Sequence, residues 1–295
     1  MDKLQFFLIT CIAIPLSRLP LSWLQSVGSI AATALIYFNP KRTDITRRNL
    51  EACFPELSVK ERKILLKKTA AETGKWMMEA AYTWFGQAPR LIKAVVIKNP
   101  DILEQAYKQG RGVVVILPHL GNWEMMNFYL PQHYLSASLY KPSASPIVEY
   151  VIAKGRSRLG ASLFATDSGG MRKAFRHLKK GGLLVILSDH LPSRSAGVYA
   201  PFFGLPALTG KFTQSLVNFN RSNVVVTTAF RLPKGRGFEI VFEKVEGMDT
   251  EDSVAAATQM NLSIEKMVRL APEQYQWVYK RFAKQPKGQK DIYSQ

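Results

Sequence analysis

Apolar residues fall into three textures along this chain, and each predicts a different kind of element. At the N-terminus, Leu4 to Leu16 is almost wholly apolar, and after Arg18 a second stretch runs from Leu19 to Phe38. The first covers 13 residues, fewer than the roughly 20 needed to cross a bilayer. Pro20, Ser22, Gln25, Ser26 and Gly28 interrupt the second. One continuous, partly amphipathic region that lies on or embeds in a membrane is predicted, with a buried helix pair as the alternative. No cleavage site follows it and only Lys3 precedes it as a basic start, which argues against a removable signal. The second texture has helical spacing. Ser58-Val59-Lys60-Glu61 has capping-box spacing, and the periodic run behind it predicts a helix to about Phe85, ended by Gly86 and Pro89. A short helix over Ile102 to Tyr107, closed by Gly110, is expected next.

From Arg111 onward the third texture sets in, with short β-branched runs separated by helical patterns. Strands are expected at Val113–Leu117, Leu135–Tyr140, Leu183–Leu187, Val224–Phe230 and Phe238–Glu243. Helices are expected around Trp123–Leu130, Ser145–Leu159, Gly170–Leu178, Phe212–Phe219 and Ser253–Leu270. Such alternation predicts an α/β fold with a mixed, largely parallel central sheet flanked by helices. Residues 1–40 then form a membrane-associating segment and residues 41–295 the main domain.

Composition narrows the partners. The chain has 295 residues and a formal net charge of +18, with 47% hydrophobic residues. That is globular rather than disordered, and a basic excess of this size suits nucleic acid, an anionic membrane, or acidic proteins and phosphorylated lipids. No nucleic-acid-binding signature is present. Cys11 and Cys53 are too few for a disulfide framework or a zinc quartet. The four histidines, His119, His133, His177 and His190, lack metal-ligand spacing, so no metal is expected. Lys41, Arg42, Arg47 and Arg48 follow the apolar region, as a headgroup-facing cytoplasmic flank does.

The chemistry concentrates at His119-Leu120-Gly121-Asn122-Trp123-Glu124, behind the strand Val113–Leu117. On one helix, positions five apart lie about 140° around the axis and do not meet. They meet if His119 sits in the turn after the strand and Glu124 in the first helical turn. Glu124 would then hold the imidazole in one tautomer while the other ring nitrogen removes a proton. The alternative is a satisfied histidine beside an unrelated carboxylate. Asp189 follows the strand Leu183–Leu187 and is expected at the same sheet edge. No G-x-S-x-G elbow occurs. Gly204 to Lys211 is one residue too long for a phosphate loop, and Phe212 stands where Ser or Thr is needed.

His119-x4-Glu124 resembles the H-x4-D/E signature of glycerolipid acyltransferases, and the wider chain resembles the bacterial lipid A late (secondary) acyltransferases. The matching blocks are Asn49-Leu50, Cys53 to Ser58, Gly110 to Gly112, Gly155 to Gly160, Gly181-Gly182, Ser188-Asp189-His190, Pro201 to Gly204 with Ala207 and Thr209, Pro272 to Trp277, and Lys280-Arg281-Phe282. Ser188-Asp189-His190 departs from the family's usual Pro-Asp-Gln, and Tyr279-Lys280-Arg281-Phe282 from its His-Arg-Arg-Phe. The resemblance implies transfer of a fatty acyl chain from an acyl carrier protein thioester to a hydroxyl of a lipid A precursor, at the cytoplasmic face of the inner membrane. His119 would be the general base and Glu124 its support. Arg156 or Arg158 would serve the oxyanion or an acceptor phosphate. Asp189, Phe202, Phe203, Lys280 and Arg281 would contact substrate. No cofactor is implied. The partners would be acyl carrier protein, a phosphorylated glycolipid and membrane lipids, with no nucleic acid. Another glycolipid or aminolipid acceptor, or acyl-coenzyme A as donor, leaves the chemistry unchanged. A basic membrane-surface or nucleic-acid binding protein without catalysis is the reading from another class.

Overall fold

The computed structural model describes residues 3–86, 90, 93–158 and 160–294. Its N-terminal part, as far as Phe85, is helical: α1 (Lys3–Arg18), α2 (Leu21–Phe38), α3 (Pro40–Cys53) and α4 (Val59–Phe85). The apolar region is therefore two helices broken at Leu19-Pro20, because proline lacks the N–H a continuing helix needs. Among the described residues no helix is long and apolar enough to cross a membrane. The helix α3 was not anticipated, being mostly polar, although Asn39-Pro40 is a standard start. The Asn39 side chain accepts from the Arg42 N–H and Pro40 takes the first helical position. The capping box of α4 forms as its spacing predicts, with Ser58 and Glu61 bonding reciprocally.

After α4 come β1 (Val95–Lys98), α5 (Pro100–Lys108), β2 (Val113–Ile116), a short helix α6 (Met126–Tyr129), β3 (Ser136–Tyr140), α7 (Pro146–Ser157), β4 (Ser162–Ala165), α8 (Ser168–Lys179) and β5 (Leu183–Ile186). Then follow β6 (Gly197–Phe202), β7 (Leu205–Gly210), α9 (Phe212–Asn220), β8 (Asn223–Arg231), β9 (Phe238–Lys244) and α10 (Ser253–Leu270). The seven-stranded sheet has the order β1-β9-β8-β2-β5-β3-β4. All neighbours are parallel except β8 and β9, which form an antiparallel pair. The largely parallel α/β expectation holds.

Alternation along the strands divides the core into two layers. Val114, Ile116, Leu184, Val224 and Val226 face one side, against Leu178 of α8, Leu216 of α9 and Ile264 of α10. Val113, Val115, Leu117, Leu183, Val185 and Val225 face the other, against Leu24 of α2, Tyr82 of α4 and Leu103 of α5. Strands covered on both faces read as continuous apolar runs, which is why β2 and β5 were legible. The edge strands β1 and β4 are four residues each and were missed.

The hairpin β6–β7 was also missed. Phe202 pairs with Leu205 across a two-residue turn. Both turn residues have positive φ, Phe203 at 50° and Gly204 at 73°, as tight hairpins of this twist require. Phe203 accepts that conformation while its ring packs edge-on against Phe54 and Trp277. Helices α2 and α4 cross closely where Gly28 meets Gly74. A Cβ on Gly28 would lie 2.3 Å from the Gly74 carbonyl oxygen, so no side chain fits there.

Candidate active site

The strand β2 ends at Ile116, and the chain turns at Leu117-Pro118 to present His119 beyond the carboxyl end of the sheet. Two other segments stitch this turn down. The Asn122 N–H donates to the Ala229 carbonyl on β8 at 2.8 Å, and the Thr228 hydroxyl donates to the Leu120 carbonyl at 2.8 Å. The Gly121 N–H donates to the Gln274 carbonyl, and the Gln276 N–H to the His119 carbonyl. Gly121 sits at φ 63°, and a Cβ there would be 2.2 Å from the Ala229 carbonyl oxygen. Only glycine permits so close an approach.

His119 is held by Asp189. The imidazole Nδ1 lies 2.8 Å from Asp189 Oδ1, and the His119 backbone N–H donates to Asp189 Oδ2 at 2.9 Å. Asp189 is buried, at 1% exposure, while the His119 side chain keeps 14%. Burial alone would raise the Asp189 carboxyl. The His119 charge and hydrogen bonds outweigh it and hold the group well below the usual carboxylate range. Burial, with the Asp189 charge beside it, pushes the Tyr275 phenol far above its ordinary range. Asp189 thus stands at the sheet edge beside His119, because β5 is parallel and adjacent to β2.

Glu124 does not pair with His119. It lies in the first helical turn after β2, over Trp123–Met125, as expected, but its carboxylate turns inward. Arg156 donates to it from Nε at 2.9 Å and from Nη2, Trp84 Nε1 donates at 3.0 Å, and Asn127 adds a weaker contact. Burial would raise this carboxyl, but the Arg156 charge and these hydrogen bonds keep it below its ordinary value. The expected support of His119 by Glu124 is therefore corrected. The reason is orientation: the turn carries the two side chains apart, and the salt-bridge partner comes from α7.

Rings stack across the site. His119 and His190 lie face to face, with centroids 3.9 Å apart and planes 5° apart, and His190 stacks on Tyr279 at 3.8 Å. On the other side Trp123 meets His119 edge-on at 5.0 Å and stacks on Trp76. Burial lowers the His190 imidazole to about 4, so it is neutral at neutral pH. The donor atoms of His119, Asp189 and His190 all lie within 4.8 Å of one another. The expected place of Asp189 at the sheet edge of His119 holds, although no metal-ligand spacing marks the cluster, whose members come from two strand ends 70 and 71 positions apart.

Behind the signature lies a buried ion network. Arg231 on β8 donates through Nε and Nη2 to the two oxygens of Glu79 on α4, at 2.5 and 2.6 Å, and also reaches Glu72. Gln25 of α2 and Asn122 of the signature donate to the same Glu79 carboxylate, at 2.7 and 3.2 Å. Neither Glu79 nor Arg231 belongs to a motif, and Gln25 stands out only as a polar interruption of the second apolar stretch. Their only sequence signal is charge or amide inside otherwise apolar periodic runs.

The remaining expected substrate contacts are engaged in the fold. Arg158 donates to the carbonyls of Thr83 and Gly86, where α4 ends and leaves acceptors unpaired. Arg281 is buried and bonds the Leu208 carbonyl at 2.7 Å and the Thr209 hydroxyl at 2.8 Å, under the Phe202 ring. Phe202 and Phe203 belong to the hydrophobic core. Lys280 packs its ammonium over the Tyr293 ring.

Residues 2–284 match the family described as bacterial lipid A biosynthesis acyltransferase. The chain belongs to that family. It is 28% identical to the lipid A biosynthesis lauroyltransferase of Escherichia coli (strain K12) over 92% of this chain and 89% of that one. It is 28% identical to the palmitoleoyltransferase of the same organism, over 94% of this chain and 90% of that one. The myristoyltransferase of that organism is 25% identical, over 83% and 78%. In this chain His119 and Glu124 stand in an H-x4-E arrangement, and the fold assigns the two residues to different partners.

Proposed function

We propose that the protein transfers a fatty acyl chain from an acyl carrier protein thioester to a hydroxyl of a lipid A precursor. The observation that carries this is the grasp of His119 by buried Asp189 at the sheet edge of a lipid A acyltransferase fold. Asp189 keeps the Nδ1 proton, which leaves Nε2 as the base. Nε2 takes the proton of the acceptor hydroxyl as its oxygen attacks the thioester carbonyl. The tetrahedral intermediate collapses to the new ester and expels the carrier's thiolate, which recovers the proton from His119. The Asp189 carboxylate stabilises the imidazolium between these steps. The acceptor is its own nucleophile, so no acyl-enzyme forms.

Glu124 acts through Arg156. It fixes the guanidinium by two hydrogen bonds, and Arg156 supplies positive charge for the developing oxyanion or an acceptor phosphate.

The protein works at the cytoplasmic face of the inner membrane as a peripherally docked enzyme. Supporting this, Trp23, Val27 and Ile30 project from one face of α2 at 66%, 54% and 72% exposure. Arg18, Lys41 and Arg42 are exposed at its two ends. An apolar helical face rimmed by cations suits an anionic bilayer surface. The net charge of +18 also suits the acidic carrier and the phosphorylated acceptor.

The test is transfer in vitro from acyl carrier protein to a lipid A precursor, read by mass spectrometry. His119→Ala is expected to lose transfer by roughly 10²–10⁴-fold while remaining folded. Undiminished transfer by that variant overturns the mechanism, and absence of product from the folded wild type overturns the acceptor.

A further inference from the structure

We propose that the outward face of α8 is the surface on which the acyl carrier protein docks, its acidic surface lying on a stripe of cations there. The proposal rests on the donor assigned above and adds the place at which that donor binds.

Arg172, Lys173, Arg176, Lys179 and Lys180 follow one another along α8 and its C-terminal cap. At about 100° per residue these positions fall within an arc of roughly 120°, so they form a single stripe. Ala174, His177 and Leu178 point to the opposite side and are buried, whereas all five cations are exposed. Among the described residues, none of the five is ion-paired with a carboxylate. The negative end of the helix dipole accounts for cations in the last turn, such as Arg176 and Lys179. It does not account for Arg172 and Lys173, which stand in the second turn. Beside the stripe, Phe175 meets Phe219 of α9 edge-on at 4.8 Å, and Phe219 is 54% exposed, which adds an apolar contact.

The stripe is also placed to serve the site. Strands β2, β5, β3 and β4 are parallel neighbours, so all four end at the sheet edge that carries His119. Helix α8 starts three residues after β4 ends, at that same edge, and packs across β3, β4 and β5. Arg172 and Lys173 are therefore at the end of the stripe nearer His119. A thioester arm from a carrier seated there has one sheet edge to round.

The bilayer is the wrong partner for this stripe. Helix α8 covers the sheet face that bears Val114 and Ile116, whereas α2 covers the face that bears Val113 and Val115. The exposed face of α2 and the stripe thus look in opposite directions, with the sheet and two helix layers between them. Each helix is about 10 Å thick, so the stripe lies beyond the ~8 Å over which a charged surface acts in physiological salt. An acidic protein can reach it from the aqueous side while α2 holds the membrane.

The experiment compares two charge reversals in the full-length protein. One is Arg172→Glu with Lys173→Glu on α8; the other is Lys67→Glu with Lys68→Glu, at exposed positions of α4. Both change the net charge equally, so only their difference reports the place. Transfer is followed from the carrier protein and, separately, from an acyl-pantetheine thioester that lacks the protein. In the α8 pair the KM for the carrier is expected to rise roughly tenfold or more and to lose much of its salt dependence. The kcat, the acyl-pantetheine rate and vesicle co-sedimentation should stay as in wild type. Should that pair fail to fold, Arg172→Gln with Lys173→Gln takes its place, with a smaller rise of the same sign. An unchanged carrier KM, or an equal rise in both pairs, overturns the surface while the donor assignment stands. Loss of vesicle binding with an unchanged carrier KM makes α8 a membrane contact and overturns it too. Wild type that accepts acyl-pantetheine but no acyl chain from the carrier overturns the donor assignment and the proposal with it.

Discussion

Asp189, not Glu124, is the carboxylate that meets His119: Nδ1 and Oδ1 are 2.8 Å apart, while Glu124 closes on Arg156. Two adjacent parallel strands, β2 and β5, end side by side and each delivers one member of the pair. The two carboxylates should therefore fail differently when altered.

Asp189→Asn keeps the shape but removes the charge that holds the imidazole's tautomer. Transfer should fall by about 10³–10⁴-fold, with the far-ultraviolet spectrum and unfolding midpoint close to wild type. A rate within tenfold of wild type would show that the Asp189 contact does not serve catalysis.

Altering Glu124 should cost stability as well as activity. Its partner Arg156 is 16% exposed and would be left buried without a counter-charge, a defect worth about 3–5 kcal/mol. Glu124→Gln and Arg156→Met should each lower the denaturant midpoint strongly. The double variant should recover much of that loss but not the transfer rate. If the two losses simply add, the pair is not coupled.

Trp23→Asp with Ile30→Asp places two charges on the outward face of α2, away from its Gly28–Gly74 crossing with α4. Co-sedimentation with anionic vesicles should drop sharply while soluble stability is unchanged. Unaltered vesicle binding would move the membrane contact elsewhere.

His177 supplies a pH dependence of stability. Burial pushes its imidazole below the ordinary value of 6.5, and its Nε2 lies 2.9 Å from the Leu183 carbonyl. The unfolded chain therefore binds a proton that the folded one refuses. Stability from this group is complete above about 6.5 and is lost as pH falls through the interval below it. Chemical denaturation across pH 7.5 to 4.5 should show a shallower decline in His177→Phe than in wild type. Parallel curves would show that His177 does not carry the linkage.

Local pattern alone was enough for the central strands, because β2 and β5 are covered on both faces and so are apolar at every position. It was enough for α4, whose capping box closes within four residues, and it placed His119 at a strand end. It also marked the N-terminal apolar region, though not that α2 would bring Gln25 onto Glu79 behind the signature. The edge strands β1 and β4 were invisible because short edge strands carry little periodicity, and the β6–β7 hairpin because its turn places Phe203 at positive φ.

The sequence by itself determined which residue types stand at the carboxyl edge of the sheet and in what order. Only the tertiary structure decided which of them meet. His119 and Glu124 are five positions apart, yet the turn between strand and helix sends one outward and the other inward. Asp189 and His190 are 70 and 71 positions away, yet parallel neighbouring strands deliver them against His119. Chain separation sets what can be read locally, whereas strand order and the direction of a single turn set which charge stands beside the base.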